Sequence, residues 1–258
     1  IWIITELCHL GHLGEYSSDY HLTTEHHLHL MKQNSSALAY LHGLDPPLLH
    51  RDINPSNIML TLEDGKHVVK LTDFGVSHVM DSDRSKFTFS VQGTEVYMSP
   101  ELLDEKWSGK DSKVGTLYSV QYLAGADIFA AALVFYQMIL TTPGKCITHA
   151  EASIRGISRE MLKNRREMEQ DKQTEMLDPI QTNTNDSKLV VHIKSLLRTM
   201  MHIEPECRKL MDKVEESIDA LIDTYNIAHS VPNTAYILKK CLVHQLHFTA
   251  DDRVGFSP

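Results

Sequence analysis

His50-Arg51-Asp52-Ile53-Asn54-Pro55-Ser56-Asn57 is followed, sixteen residues after Asn57, by Asp73-Phe74-Gly75, and then by Gly93-Thr94-Glu95-Val96-Tyr97-Met98-Ser99-Pro100-Glu101. Asp and Asn bond readily to nearby backbone, so each run taken alone reads as a loop. What joins the first two is a pair of short apolar runs, Ile58 to Leu62 and His67 to Leu71, with Glu63-Asp64-Gly65-Lys66 between them. The Asp-Gly pair supplies the positive φ that a tight hairpin needs. One hairpin is therefore expected to hold both polar loops together.

These three runs, in this order and at these distances, resemble the H-R-D-x-x-x-x-N catalytic loop, the D-F-G turn and the A-P-E-type run of the eukaryotic protein kinases. The resemblance implies an α+β, protein-kinase-like fold, mainly the helical C-terminal lobe with a short β-hairpin beside the catalytic loop. It implies transfer of the γ-phosphoryl group of ATP to a protein hydroxyl, with Mg²⁺. Asp52 would accept the hydroxyl proton or orient that hydroxyl. Asn57 would offer a neutral oxygen and Asp73 an anionic one to Mg²⁺, a hard cation that takes oxygen ligands. Thr94 would lie near Asp52 at the substrate groove, and Gly93-Thr94-x-x-Tyr97 resembles the loop of the Ser/Thr-specific members. Backbone groups from Glu6 to Cys8 would meet the adenine edge, Glu15 would approach the ribose, and Met59, with Ile58 and Leu60, would lie beneath the adenine. His50 and Phe74 would pack in the core, Asp127 would hold the catalytic-loop backbone, and Glu101 would pair with Arg208. The Arg51 guanidinium would bind a phosphate on the activation segment, with Thr88 and Ser90 the leading hydroxyls, because a bidentate Arg-phosphate contact is strong and directional.

Two features set the chain apart from that pattern. Only 49 residues precede His50, with no G-x-G-x-x-G and no V-A-I-K-like run, and the first residue is Ile1. The expectation is a fragment beginning near the hinge, inactive by itself, in which ATP has a floor and no roof. Asn54 stands where kinases that modify Ser or Thr usually have a Lys that meets the γ-phosphate, and an amide brings no positive charge. A non-catalytic scaffold, or pseudokinase, is thus the alternative to a Ser/Thr kinase. A small-molecule phosphotransferase of related fold shares the Asp, Asn and second Asp, but not the long segment ending in Ser99-Pro100-Glu101.

With 258 residues and 42% hydrophobic content the chain can bury a sizeable core, and we expect one domain over 1–222 with a tail, 223–258, of unknown role. A net charge of -9 argues against a nucleic-acid partner, which clustered Lys and Arg would serve, and suits a basic protein substrate. Cys8, Cys146, Cys207 and Cys241 form no C-x-x-C pair, so neither zinc nor a disulfide framework is suggested, which fits a reducing compartment; together with the kinase resemblance this implies a cytoplasmic location. Ala126 to Leu140 is the most apolar stretch. It falls short of the about 20 residues a bilayer demands and reads as a buried helix. Ile1 to Thr5 reads as a strand. Leu28, Met31, Leu38 and Leu41 mark a helix ending by Gly43; of its histidines, His26 and His29 have metal-ligand spacing, but exposed histidines are the commoner meaning and no metal is expected there. Asp81 to Ser90 reads as a mobile loop, Lys106 to Gly125 as an inserted loop, and Ile154 to Met176 as a solvated charged helix.

Overall fold

The computed structural model describes residues 4–19, 22–80, 92–107, 119–140, 157 and 187–228. The hairpin forms as its residues demand: β2 (Ile58–Glu63) pairs antiparallel with β3 (Lys66–Leu71), from Ile58↔Leu71 to Glu63↔Lys66. Asp64 and Gly65, at φ 50° and 74°, make the two-residue turn, both residues in the left-handed region that matches strand twist. The outer edge of β2 takes a short partner, since Leu10 N donates to Leu60 O at 3.2 Å and Leu60 N to Gly11 O at 2.9 Å. The strand expected over Ile1 to Thr5 is not seen: Ile1–Ile3 lie outside the described residues, and Ile4 and Thr5 are exposed coil. A strand exists only where a ladder partner does, and on this edge β2 is met at residues 10–12 instead.

Helix α1 (Leu13–Asp19) leads to α2 (Thr24–His42). The Thr23 hydroxyl caps α2 by accepting from His26 N, and the Thr23 N–H donates back to His26 Nδ1 at 3.2 Å, a capping box with an imidazole in the usual Glu or Gln place. One member of the histidine run is thereby explained. The buried face of α2 carries Leu28, Met31, Leu38 and Leu41. Gln33, on the same helix, donates through Nε2 to His67 O at 2.8 Å and accepts from Val69 N at 2.9 Å. One side chain thus satisfies the free edge of β3 and seats the hairpin on α2.

Beyond the loops come α3 (Pro100–Trp107), α4 (Val120–Leu140), α5 (Ser187–Met200) and α6 (Met211–Ala228). Pro100 opens α3, where its missing N–H is no loss. Helix α4 starts six residues before Ala126, which corrects the inserted-loop reading of Lys106 to Gly125: Lys106 and Trp107 close α3, Val120 to Gly125 open α4, and 108–118 lie outside the described residues. Ser119 caps the new start, its Oγ accepting from Tyr122 N at 3.0 Å. Gly125 is a contact and not a breaker, since a Cβ there would stand 2.9 Å from Pro205 O and 3.0 Å from Pro205 Cβ. At 21 residues α4 is also long and apolar enough to cross a membrane, contrary to the sequence estimate, but 83% of its apolar window is buried inside the protein. Its side chains are core: Phe129, Ala131, Leu133, Val134 and Phe135 have no exposure.

Leu49, Met80, Met98, Leu102, Leu103, Leu123 and Ala124 form a core cluster that joins the hairpin loops to α3 and α4. The chain divides into two compact units, Ile1–Asp223 and Thr224–Pro258. Of the charged stretch Ile154 to Met176 only Ile157, which is buried, is described.

Candidate active site

Two short ladders bring the polar loops together. Strand β1 (Leu48–Leu49) pairs with β4 (His78–Val79), so the residues before His50 and after Gly75 run side by side. At the other end the β2–β3 hairpin is extended by Thr72 N donating to Asn57 O at 3.0 Å. Between them, His50 Nε2 donates to Thr72 O at 3.0 Å and Ser77 Oγ to His50 O at 3.1 Å. A carbonyl only accepts, so Nε2 carries the proton and Nδ1 is left to accept from Asp52 N at 3.4 Å. His50 is fully buried.

Arg51 has φ 69°, an uncommon conformation for a residue with a Cβ, held only where the surroundings over-determine it. Asp127 supplies the constraint. Its Oδ1 accepts from Arg51 N at 2.7 Å, and its Oδ2 from His50 N at 2.8 Å and His42 Nε2 at 3.0 Å. Burial alone would push this carboxyl up, but the hydrogen bond and charge of His42 and the Arg51 N–H outweigh it and hold its pKa below the usual range. The sequence offers no sign of His42, which lies 85 residues from its partner. Burial also lowers the Arg51 pKa, with Asp127 opposing.

Two residues, Thr94 and Asn57, hold the Asp52 carboxylate. Oδ1 accepts from both Thr94 N and Thr94 Oγ1, each at 2.8 Å. Oδ2 accepts from Asn57 Nδ2 at 3.0 Å, and the same amide reaches Asp52 O at 2.8 Å. Asn57 Oδ1 makes no hydrogen bond among the described residues. Gly93 allows the approach: its φ is 113°, and a Cβ would stand 2.5 Å from Arg51 O. Asp73 sits exposed at φ 61°, with Oδ1 accepting, among the described residues, from Gly75 N alone, at 3.2 Å. Since Thr72 is bonded to Asn57, the structure places the Asp52–Asn57 pair one residue step from Asp73. Gly93 stands in the sequence reading as part of the run Gly93-Thr94-x-x-Tyr97, without a role; its close approach to Arg51 O supplies one.

The remaining residues fall into separate groups. Met59 faces Lys70 across the ladder, and Lys70 Nζ reaches Glu6 at 3.3 Å and Glu63 at 2.8 Å. Cys8 is a half-buried free thiol whose carbonyl accepts from Gly11 N at 3.1 Å. Glu15 is exposed and pairs with His12 at 3.3 Å, the residue bridged to Met59. Phe74 is a correction: its ring is 45% exposed and not in the core. One side meets the His50 ring at 5.0 Å, while the rest lines an open groove of about 500 Å³ with Ala37, Tyr40, Leu41 and Leu71. The turn at Asp73 carries the ring to this rim, where no described residue covers it. Thr88 and Ser90 lie outside the described residues. Glu101 and Arg208 meet in a bidentate pair, Nη1 to Oε1 at 2.6 Å and Nη2 to Oε2 at 2.7 Å, almost without exposure. Among the described residues no group of three or more His, Cys, Asp or Glu is arranged to hold a metal.

A family model described as "Protein kinase domain" matches residues 1–217. The chain is 35% identical over 130 residues to Wall-associated receptor kinase-like 10 of Arabidopsis thaliana, which is 50% of this chain and 15% of that protein. It is 30% identical over 145 residues to Serine/threonine-protein kinase atg1 of Dictyostelium discoideum, 55% of this chain and 19% of that protein. To Wall-associated receptor kinase-like 20 of Arabidopsis thaliana it is 26% identical over 211 residues, 78% of this chain and 29% of that protein. The matched part thus spans less than a third of each of these relatives.

Proposed function

The chain belongs to the protein kinase family, and we propose that the protein carrying it moves the γ-phosphoryl group of ATP to a serine or threonine hydroxyl of a protein substrate. The observation that carries this reading is Asp52, its carboxylate fixed by Thr94 and Asn57 at 2.8–3.0 Å beside the Asp73 turn. A carboxylate so fixed can orient a substrate hydroxyl and take its proton within hydrogen-bond reach, with little rearrangement. Asp52 is the catalytic base. Thr94 floors the substrate groove, and its presence together with the Ser/Thr kinases among the relatives supports the residue preference.

Mg²⁺ fits this donor set: among the described residues Asn57 Oδ1 is unbonded, and the exposed Asp73 carboxylate has one amide donor. Both are hard oxygens of the kind Mg²⁺ takes. Bound there, the cation would offset negative charge on phosphate oxygens. Along the outer edge of β2, backbone near Glu6 and Cys8, with Glu15 and Met59, is our candidate for the nucleotide base and ribose. Arg51, with Thr88 and Ser90 of the activation segment, is our candidate for control by phosphorylation.

A non-catalytic scaffold is the second reading. Asn54 favours it, because it brings no cation to the phosphate. The test is transfer of labelled phosphate from Mg²⁺·ATP by the full-length protein to a basic protein substrate, followed by phosphoamino-acid analysis. Label on Ser or Thr that disappears in Asp73→Ala and Asn57→Ala supports the kinase. A folded protein giving no label, or label on Tyr, overturns it.

A further inference from the structure

Asn54 is 6% exposed. Its Oδ1 accepts from Ser56 N at 2.9 Å, capping the single turn Pro55–Asn57, and its Nδ2 donates to Asp52 O at 3.2 Å and to Thr94 Oγ1 at 3.3 Å. An amide nitrogen has two hydrogens, so both are spent inside the protein and none remains for a phosphate. The consequence is carried by Thr94. Because its hydroxyl oxygen receives a hydrogen from Asn54, its own hydrogen is directed at Asp52 Oδ1, 2.8 Å away, where the Thr94 N–H already points. A carboxylate oxygen has about two lone-pair sites. Oδ1 is therefore filled, whereas Oδ2 holds one donor among the described residues, Asn57 Nδ2, and keeps one site open to them.

We propose that Asn54 is a positioning residue: by orienting the Thr94 hydroxyl it fills Oδ1 of Asp52 and reserves Oδ2 for the substrate hydroxyl. On this account Asn54 is not a lysine lost. A lysine has three donors and no acceptor, and it cannot cap Ser56 N. The statement about the substrate rests on the kinase reading, while the arrangement of Thr94 does not, and the two are tested apart.

The first arm needs no catalysis. Asn54→Asp keeps the cap on Ser56 and the shape of the side chain, but its second oxygen accepts where the amide donated, drawing the Thr94 hydrogen away from Asp52. Asn54→Ala removes cap and donors together. Amide hydrogen exchange of the 258-residue chain, read by NMR, should show the Thr94 amide faster by about 5- to 10-fold in both variants, the factor that an ordinary net hydrogen bond corresponds to. The Ser56 amide should accelerate in Asn54→Ala alone. Unchanged exchange at Thr94 in both variants overturns the proposal, and melting curves taken alongside show whether each variant is folded.

The second arm uses the full-length protein. Asn54→Asp and Thr94→Val should each lower kcat about tenfold with the KM for ATP within twofold, and the double variant should be no slower than the slower single, because residues acting through one another do not add. Multiplying effects, or a raised KM for ATP, would make Asn54 an independent or phosphate-contacting group and overturn the proposal. A folded wild type without transfer overturns the kinase reading, and the exchange arm then judges Asn54 by itself.

Discussion

Removing the charge on Glu101 is expected to destabilise strongly the fold that carries the loop from His50 to Asn57. Arg208 is fully buried, and its guanidinium donates to both Glu101 oxygens at 2.6 and 2.7 Å, to Gly125 O at 2.8 Å and, through Nε, to His202 O at 2.8 Å. Its carbon also lies 5.0 Å from the centre of the Phe129 ring. Glu101→Gln keeps the shape, deletes the countercharge and turns an amide donor toward guanidinium donors. Stranding a buried charge in this way costs about 3 to 5 kcal/mol. Domains are stable by about 5 to 15 kcal/mol in all, so the loss ranges from about a fifth of the whole to nearly all of it. In melting temperature it amounts to about 6 to 20 °C for a domain of this size. Arg208→Met should be at least as severe, since it also leaves the Gly125 and His202 carbonyls unmet. The double change Glu101→Leu with Arg208→Met should cost less than the sum of the singles, because no charge is then stranded. Equilibrium urea unfolding of the 258-residue chain, followed by far-UV circular dichroism, measures all three. A loss below about 1 kcal/mol for Glu101→Gln, the size of an exposed pair, would refute the reasoning.

Three further outcomes follow from the geometry. Burial, reinforced by the charge of nearby His26, lowers the His27 pKa from 6.5 to about 4; the unfolded chain then takes up a proton that the folded chain refuses, so His27's contribution is intact above pH 6.5 and lost as pH falls toward 4. The share lost by pH 5 is about 2 kcal/mol, and urea midpoints at pH 7 and 5 should show it in wild type and lack it in His27→Met. Gly93→Ala should lower transfer by the full-length protein at least about 100-fold while the fold persists, since a Cβ 2.5 Å from Arg51 O forces the segment off the loop and disturbs the base; a rate within threefold of wild type would show that the approach is dispensable. The 258-residue chain alone should transfer no label, because it has no glycine-rich phosphate loop and no strand lysine, and Asp52-dependent transfer by it would contradict this.

The parts of this architecture that were legible in the sequence are those whose cause is local. Asp64-Gly65 specifies a hairpin turn through backbone conformation alone, and the spacing of Asp52, Asn57 and Asp73 reads directly because one hairpin sets it. What was missed depends on distant contacts. Gly125 looks like a helix breaker until Pro205, 80 residues on, is seen packed against it. Ile4 has strand chemistry and no ladder partner among the described residues. His42 does nothing recognisable until Asp127 arrives from α4. Phe74 has the chemistry of a core residue, yet its exposure is decided by what covers the groove beside it.

The central claim is that the Asp52 carboxylate, held by Thr94 and Asn57, receives the proton or orients the hydroxyl of a protein substrate. Single-turnover phosphoryl transfer by full-length Asp52→Asn, with ATP affinity measured on the same preparation, tests it most directly. The substitution keeps the size and one acceptor oxygen and removes the base. The account predicts a rate at least about 100-fold below wild type with ATP affinity unchanged within twofold, and a rate within a few-fold of wild type would contradict it.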